Sequence, residues 1–156
     1  MNRRGFVAGA IAAACLPTVA RAHGGHDENE KEYGKPGDPA KPARIVQVVM
    51  RESDGRMLYL PDRLTVRKGE QVRFQLRNNG AIDHEFVIGT VESNRLHMKA
   101  MEGHGDMEHD DPNARRLKPR ATADLVWQFT RPGTFEFACL IPGHYQAGMV
   151  GTVVVE

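Results

Sequence analysis

Between Gln71 and Arg77 the chain alternates without a break: Val72, Phe74 and Leu76 are apolar, and Gln71, Arg73, Gln75 and Arg77 are polar. A period of two puts the apolar set on one face of an extended strand, which a helix of about 3.6 residues per turn cannot do. Residues 122–129 repeat the pattern, with Ala123, Leu125, Trp127 and Phe129 as a second inward row. Strands with one apolar face need a second layer to cover it, so the alternation points to an all-β sandwich. Further short runs separated by turn residues, among them Lys68-Gly69-Glu70 and Asn78-Asn79-Gly80, place strands at 44–50, 57–60, 64–67, 71–77, 84–88, 122–129, 134–139 and 150–155.

With 156 residues the chain has room for one domain with a real core and not for two of ordinary size. Its start reads as an export signal spanning 1–22. Arg3-Arg4 gives a basic head, 7–16 a short alanine-rich apolar run closed by Pro17, and Ala20-Arg21-Ala22 a small-residue cleavage site. The apolar run is about half of what a bilayer span needs. Arg3-Arg4 followed by Phe6 resembles a twin-arginine signal, with an ordinary secretory signal as the alternative, and both lead out of the cytoplasm to a periplasmic location. Residues 23–43 carry four glycines, three prolines and many charges, the composition of a flexible leader. The domain is therefore expected at 44–156. Removing 1–22 takes away three arginines and no acids, turning the formal net charge from +1 to −2. That balance gives no reason to expect a nucleic-acid partner or insertion into a membrane.

One stretch breaks the β pattern. Residues 90–120 separate two strands by more than a compact domain usually leaves without structure, and are read as an insertion near one edge, with a short helix at 96–101.

Of two cysteines, Cys15 falls in the signal, which leaves Cys139 as the one thiol of the exported chain. It shares the parity of Phe135 and Phe137 and should point into the end of the sandwich. It also opens the run Cys139-Leu-Ile-Pro-Gly-His144-Tyr-Gln-Ala-Gly-Met149, a C-x4-H-x4-M loop between two strands with Pro142-Gly143 and Gly148 at its bends. A thiolate, an imidazole and a thioether so spaced can converge on one ion. With a second imidazole they make a type 1 copper set, in which two histidines and a cysteine bind strongly and methionine weakly and axially. Zinc is the rival metal, but it has little use for a thioether. His84, which follows a turn and opens a strand, is the natural second imidazole. Singly, each of these residues is more often core or surface filler; together, at ligand spacing on a β pattern, they favour copper.

With the run Val66-Arg-Lys-Gly-Glu-Gln-Val-Arg-Phe74 before His84 and the loop from Cys139 to Met149, most of 44–156 resembles the cupredoxin family of plastocyanin, azurin and auracyanin. The resemblance implies a Greek-key β-sandwich with copper held at one end by His84, Cys139, His144 and Met149. Pro142-Gly143-His144 and Gly148-Met149-Val150-Gly151 also look like the small cupredoxins of bacterial copper-resistance systems. One position departs from the pattern. Plastocyanin and azurin have asparagine after the first histidine, where this chain has Glu85, which puts the usual hydrogen bond between ligand loops in question.

His97, Met98, Met101, His104, Met107 and His109 are concentrated in thirteen residues, and His23 and His26 in the leader. Thioethers favour Cu(I) and imidazoles accept either copper state, so a second, weaker copper site is one reading. The other is a polar insertion whose methionines pack onto the sandwich, and a leader that only solubilises. Function follows as an expectation: copper resistance or homeostasis through a redox-active Cu(I)/Cu(II) centre, with copper-transfer or redox proteins as partners. The alternative is a soluble electron carrier serving an oxidase or reductase. An enzyme is not expected, since the chain has one complete ligand set, and a binuclear centre would need two bridging cysteines.

Overall fold

The computed structural model describes residues 29–101 and 111–156. In chain order these form β1 (Lys35–Pro36), β2 (Arg44–Ser53), β3 (Arg56–Leu60), β4 (Arg63–Val66), β5 (Gln71–Asn78), β6 (His84–Gly89), α1 (Val91–Met101), β7 (Ala114–Leu117), β8 (Thr122–Gln128), β9 (Gly133–Ala138) and β10 (Val150–Val155). One sheet has the order β1-β8-β5-β2-β3 and the other β4-β10-β9-β6-β7. The pairs β2/β5 and β4/β10 are parallel and the rest antiparallel.

The two inward rows read from the sequence meet as the core. Val72, Phe74 and Leu76 of β5 and Leu125 and Trp127 of β8 are buried, and opposite them lie Phe86, Ile88, Phe135, Phe137, Val153 and Val155 of the other sheet. Phe86 stacks on Phe137 with centroids 5.0 Å apart, and Tyr59 meets both rings edge-on. All eight expected strands are present. The β2–β3 hairpin turns at Asp54 and Gly55, both with positive φ (52° and 76°), the backbone of a type I′ turn.

The structure departs from the sequence reading at three places. Residues 29–43 are docked rather than loose: β1 pairs with the edge of β8, and Tyr33 stacks on Trp127 at 5.8 Å. Composition missed this because the anchor is a single aromatic among polar residues. The helix in the expected insertion is longer, starting at Val91, because Thr90 and Ser93 cap it reciprocally (Ser93 N–H to Thr90 Oγ1 and Thr90 N–H to Ser93 Oγ, both 2.9 Å). Its Val91 and Leu96 are exposed, so it has no apolar stripe for a periodicity search to find. The insertion also returns as β7, a four-residue edge strand on β6.

Helix α1 lies over the outer face of the second sheet, near β6 and β9. Val87, Ala138 and Leu140 are buried there with Met98, Ala114, Tyr145 and Val150 packed around them. That cover explains why β6 and β9 are buried on both faces and why Glu136 is only 6% exposed.

Candidate metal centre

His84 is the first residue of β6, and the turn before it is fixed from inside. Asn78, fully buried at the end of β5, donates from Nδ2 to the carbonyls of Ile82 (2.8 Å) and Leu117 (2.9 Å) and accepts from Gly80 N–H (2.8 Å). These bonds satisfy backbone groups that the turn would otherwise leave unpaired. They bring β6 in with the His84 side chain buried.

The three C-terminal candidates are set by their loop. Cys139 N–H donates to Met149 O (3.1 Å) and Met149 N–H to His144 O (3.1 Å), so the backbones of the three residues are tied to one another. Gly143 (φ 87°) and Gly148 (φ 97°) supply the left-handed bends that the loop needs. Met57 N–H of β3 donates to Ala147 O (3.0 Å), clamping the loop to the other sheet.

His84, Cys139 and His144 converge. Their donor atoms all lie within 4.8 Å of one another, and among the described residues no other group of three histidine, cysteine or carboxylate side chains does this. His144 Nδ1 is 3.3 Å from both His84 Nδ1 and Cys139 Sγ. Bonds of about 2.0–2.3 Å from one ion to nitrogen and sulfur set neighbouring donors roughly 3.3–3.8 Å apart, so the two sides that meet at His144 have the spacing of donors sharing one metal ion. Two imidazole lone pairs facing each other at this distance also need a proton or a cation between them. Met149 is fully buried in the same core and next to this group through its backbone.

The electrostatics suit a soft cation. Burial pushes the Cys139 thiol up to about 12, while the backbone N–H groups of Glu85 and Ile141 pull it the other way; Glu85 N–H lies 3.2 Å from Sγ. The thiol thus keeps its proton at neutral pH until a metal displaces it. Burial, with His84 and Arg116 nearby, holds His144 below its ordinary value despite the opposing Glu52, so its ring is neutral and available as a ligand.

The family of copper-binding proteins typified by plastocyanin and azurin matches residues 46–156. The chain belongs to that family. Among curated proteins it is 48% identical to the copper-resistant cuproprotein CopI of Rubrivivax gelatinosus over 92% of each chain. It is 37% identical to the CopI of Pseudomonas aeruginosa, over 80% of this chain and 82% of that one. Among solved structures, auracyanin B shares the fold with a TM-score of 0.64 at 24% identity, over 79% of this chain and 96% of that one.

As a cupredoxin, the chain departs from expectation at its carboxylates. Glu85 lines a small cleft on the outer face with Val87, His97, Asp111, Ala114, Arg115 and Arg116, as strand alternation requires, and serves the thiol through its backbone N–H. The carboxylate that touches a candidate ligand is Glu52, whose Oε1 lies 2.9 Å from His84 Nε2. Sequence reading missed Glu52 and Asn78. Asn78 was read as part of a turn, and Glu52 sits thirty-two residues from His84 on the other sheet, where only tertiary pairing joins them.

Of the second set of expected donors, Met98 packs beneath α1 against the outer apolar cluster, and His97 lines the Glu85 cleft. Met101 ends α1, half-buried. His23, His26, His104, Met107 and His109 lie outside the described residues.

Proposed function

We propose that this cupredoxin is an exported, periplasmic copper-resistance protein that holds one copper ion in a type 1 centre, with His84, Cys139 and His144 as strong ligands and Met149 as the axial one. The observation that carries the reading is the buried triangle of two imidazole nitrogens and one thiol at copper-ligand spacing. The CopI relatives, matched over most of their length, supply the biological setting. Copper in such a set supplies a Cu(I)/Cu(II) couple. The protein's part is to impose the ligand geometry, bury the thiol and keep water away. Buried ligands on a rigid sandwich favour holding and redox cycling of the ion over catalysis.

Electron transfer is a second role for the same centre. His144, buried but at 8% the most exposed of the three converging residues, would be the nearest of them to a redox partner.

Two measurements test this. The Cu(II) protein should show an intense visible thiolate-to-copper band and a type 1 EPR signal, both lost in Cys139→Ala; a colourless wild-type protein defeats the type 1 assignment. Deleting the gene should lower copper tolerance, and a strain with unchanged tolerance defeats the resistance role.

A further inference from the structure

The two nitrogens of His84 face different partners. Nδ1 lies 3.3 Å from His144 Nδ1, on the side of Cys139, and Nε2 lies 2.9 Å from the Glu52 carboxylate. A neutral imidazole carries one proton, and the group beside one nitrogen decides where it sits. A carboxylate oxygen at 2.9 Å is an acceptor, so the proton belongs on Nε2 and the free lone pair on Nδ1, the nitrogen turned towards the other ligands.

Glu52 is itself held. It lies near the end of β2, in the sheet opposite His84, and its carboxylate accepts from Ala81 N–H (Oε2, 3.0 Å) and Ile82 N–H (Oε1, 3.4 Å), in the turn leading to the ligand. Gly80 leaves room for it: a Cβ there would stand 2.5 and 2.6 Å from the two carboxylate oxygens. The turn is thus shaped around this side chain, and His84 is fully buried against it.

We propose that Glu52 is a positioning residue of the copper centre: it locks His84 in the Nε2–H tautomer and, through its negative charge, strengthens Nδ1 as a donor and favours Cu(II) over Cu(I). This deepens the proposed function and rests on His84 being a copper ligand. The physical basis is general. A carboxylate behind a metal-bound imidazole orients the ring and raises its basicity, and an added negative charge stabilises the more highly charged ion more. The carboxylate in direct contact with His84 is then Glu52, from the other sheet, while Glu85, which follows the histidine in sequence, acts on the Cys139 thiol through its charge and its backbone N–H.

The test uses the full chain with Glu52→Gln and Glu52→Ala, titrated with Cu(II) alone and Cu(I) alone. Glu52→Gln keeps the Oε1 acceptor for His84 Nε2–H and Ile82 N–H, gives up the Oε2 acceptor of Ala81 N–H, and removes the charge. It should retain the visible band, lose about 10- to 100-fold in Cu(II) affinity and change little in Cu(I) affinity. Each tenfold selective loss raises the midpoint potential by ~59 mV for one electron. Glu52→Ala removes the acceptor as well, and ¹⁵N NMR of the copper-free protein should then show His84 as a mixture of tautomers where the wild type shows Nε2–H alone. If both variants keep the wild-type potential and the single tautomer while only the melting temperature falls, Glu52 is a clamp on the turn and the proposal is overturned. The tautomer is read without copper, so this outcome is separable from failure of the copper reading, which would appear as a missing thiolate-to-copper band in the wild type.

Discussion

Tyr59 connects the aromatic core to the proposed metal ligands by a single hydroxyl. Its ring is buried edge-on to Phe86 and Phe137, its hydroxyl donates to the Glu85 carbonyl, and Glu85 N–H in turn meets the Cys139 sulfur. Tyr59→Phe keeps the packing and removes the donor, so it should cost about 1–2 kcal/mol at neutral pH, the range for a buried carbonyl that loses a partner. Burial, with Cys139 and Glu85 adding to it, holds the Tyr59 hydroxyl well above its ordinary value of 10.0. Above pH 10 the unfolded chain therefore releases a proton that the folded one keeps. The stability due to Tyr59 is complete below pH 10 and is lost as pH rises beyond it. Urea denaturation at pH 8 and pH 10.5 should show the gap between wild type and Tyr59→Phe narrowing at the higher pH; a constant gap means that the hydroxyl is not protected. At this scale the sequence was informative where chemistry and spacing coincide. Cys139, His144 and Met149 stand out because three ligand types share one short loop. Glu52 and Tyr59 do not, because a glutamate in a strand and a tyrosine in a hairpin acquire their roles only when two sheets close over each other.

Among the elements, α1 is held by a polar anchor. Asn94 is 2% exposed and donates from Nδ2 to Glu136 Oε1 at 3.0 Å, while Tyr145, next to the proposed ligand His144, donates to Glu136 Oε2 at 3.2 Å. Gly89 is required beneath the helix, since a Cβ there would stand 2.4 Å from Asn94 Oδ1. One buried carboxylate thus ties the helix and the Cys139–Met149 loop to the same strand. Asn94→Ala should cost about 1–3 kcal/mol by leaving Glu136 short of a donor and should lower amide-exchange protection along Val91–Met101. The visible copper band should persist, because α1 carries none of the four proposed ligands. Unchanged protection in the helix means that the apolar contact through Met98 suffices to hold it. The sequence showed the eight strands and the helix at 96–101 but not the helix's first turn, where the buried residue is Asn94, nor β7, whose Ala-Arg-Arg-Leu has one buried residue at its end.

Across the whole molecule, the two ends of the sandwich do different work. Asn78, His84 and the loop from Cys139 to Met149 make the ligand end, whereas Gln71 pairs with Gln128 at the other, where β1 lies along β8. There the segment read as a loose leader acts as a strap. Trp127 Nε1–H donates to Tyr33 O (2.8 Å), and the Tyr33 ring covers the indole, leaving it 1% exposed. The strap passes through Gly34 at φ 113°, where an added Cβ would stand 2.2 Å from Gln128 O. Gly34→Ala therefore meets both a backbone conformation that alanine avoids and a backbone atom that cannot move aside. Undocking the strap forfeits the Tyr33–Trp127 pair together with hydrogen bonds that include Trp127 Nε1–H to Tyr33 O, Gly37 N–H to Val126 O and Asp38 N–H to Gln71 Oε1, so the loss should exceed the about 1–3 kcal/mol of a single aromatic pair with a single hydrogen bond. Trp127 is the one tryptophan of the chain, so its emission reports the event without interference. In Gly34→Ala it should shift to the red and become open to quenching by acrylamide, while the thiolate-to-copper band at the far end stays at its wild-type position. A band that moves with the tryptophan signal would show that the strap is felt at the ligands through the core, and a variant with unchanged emission would show that the strap is docked by contacts other than Tyr33 and Gly34.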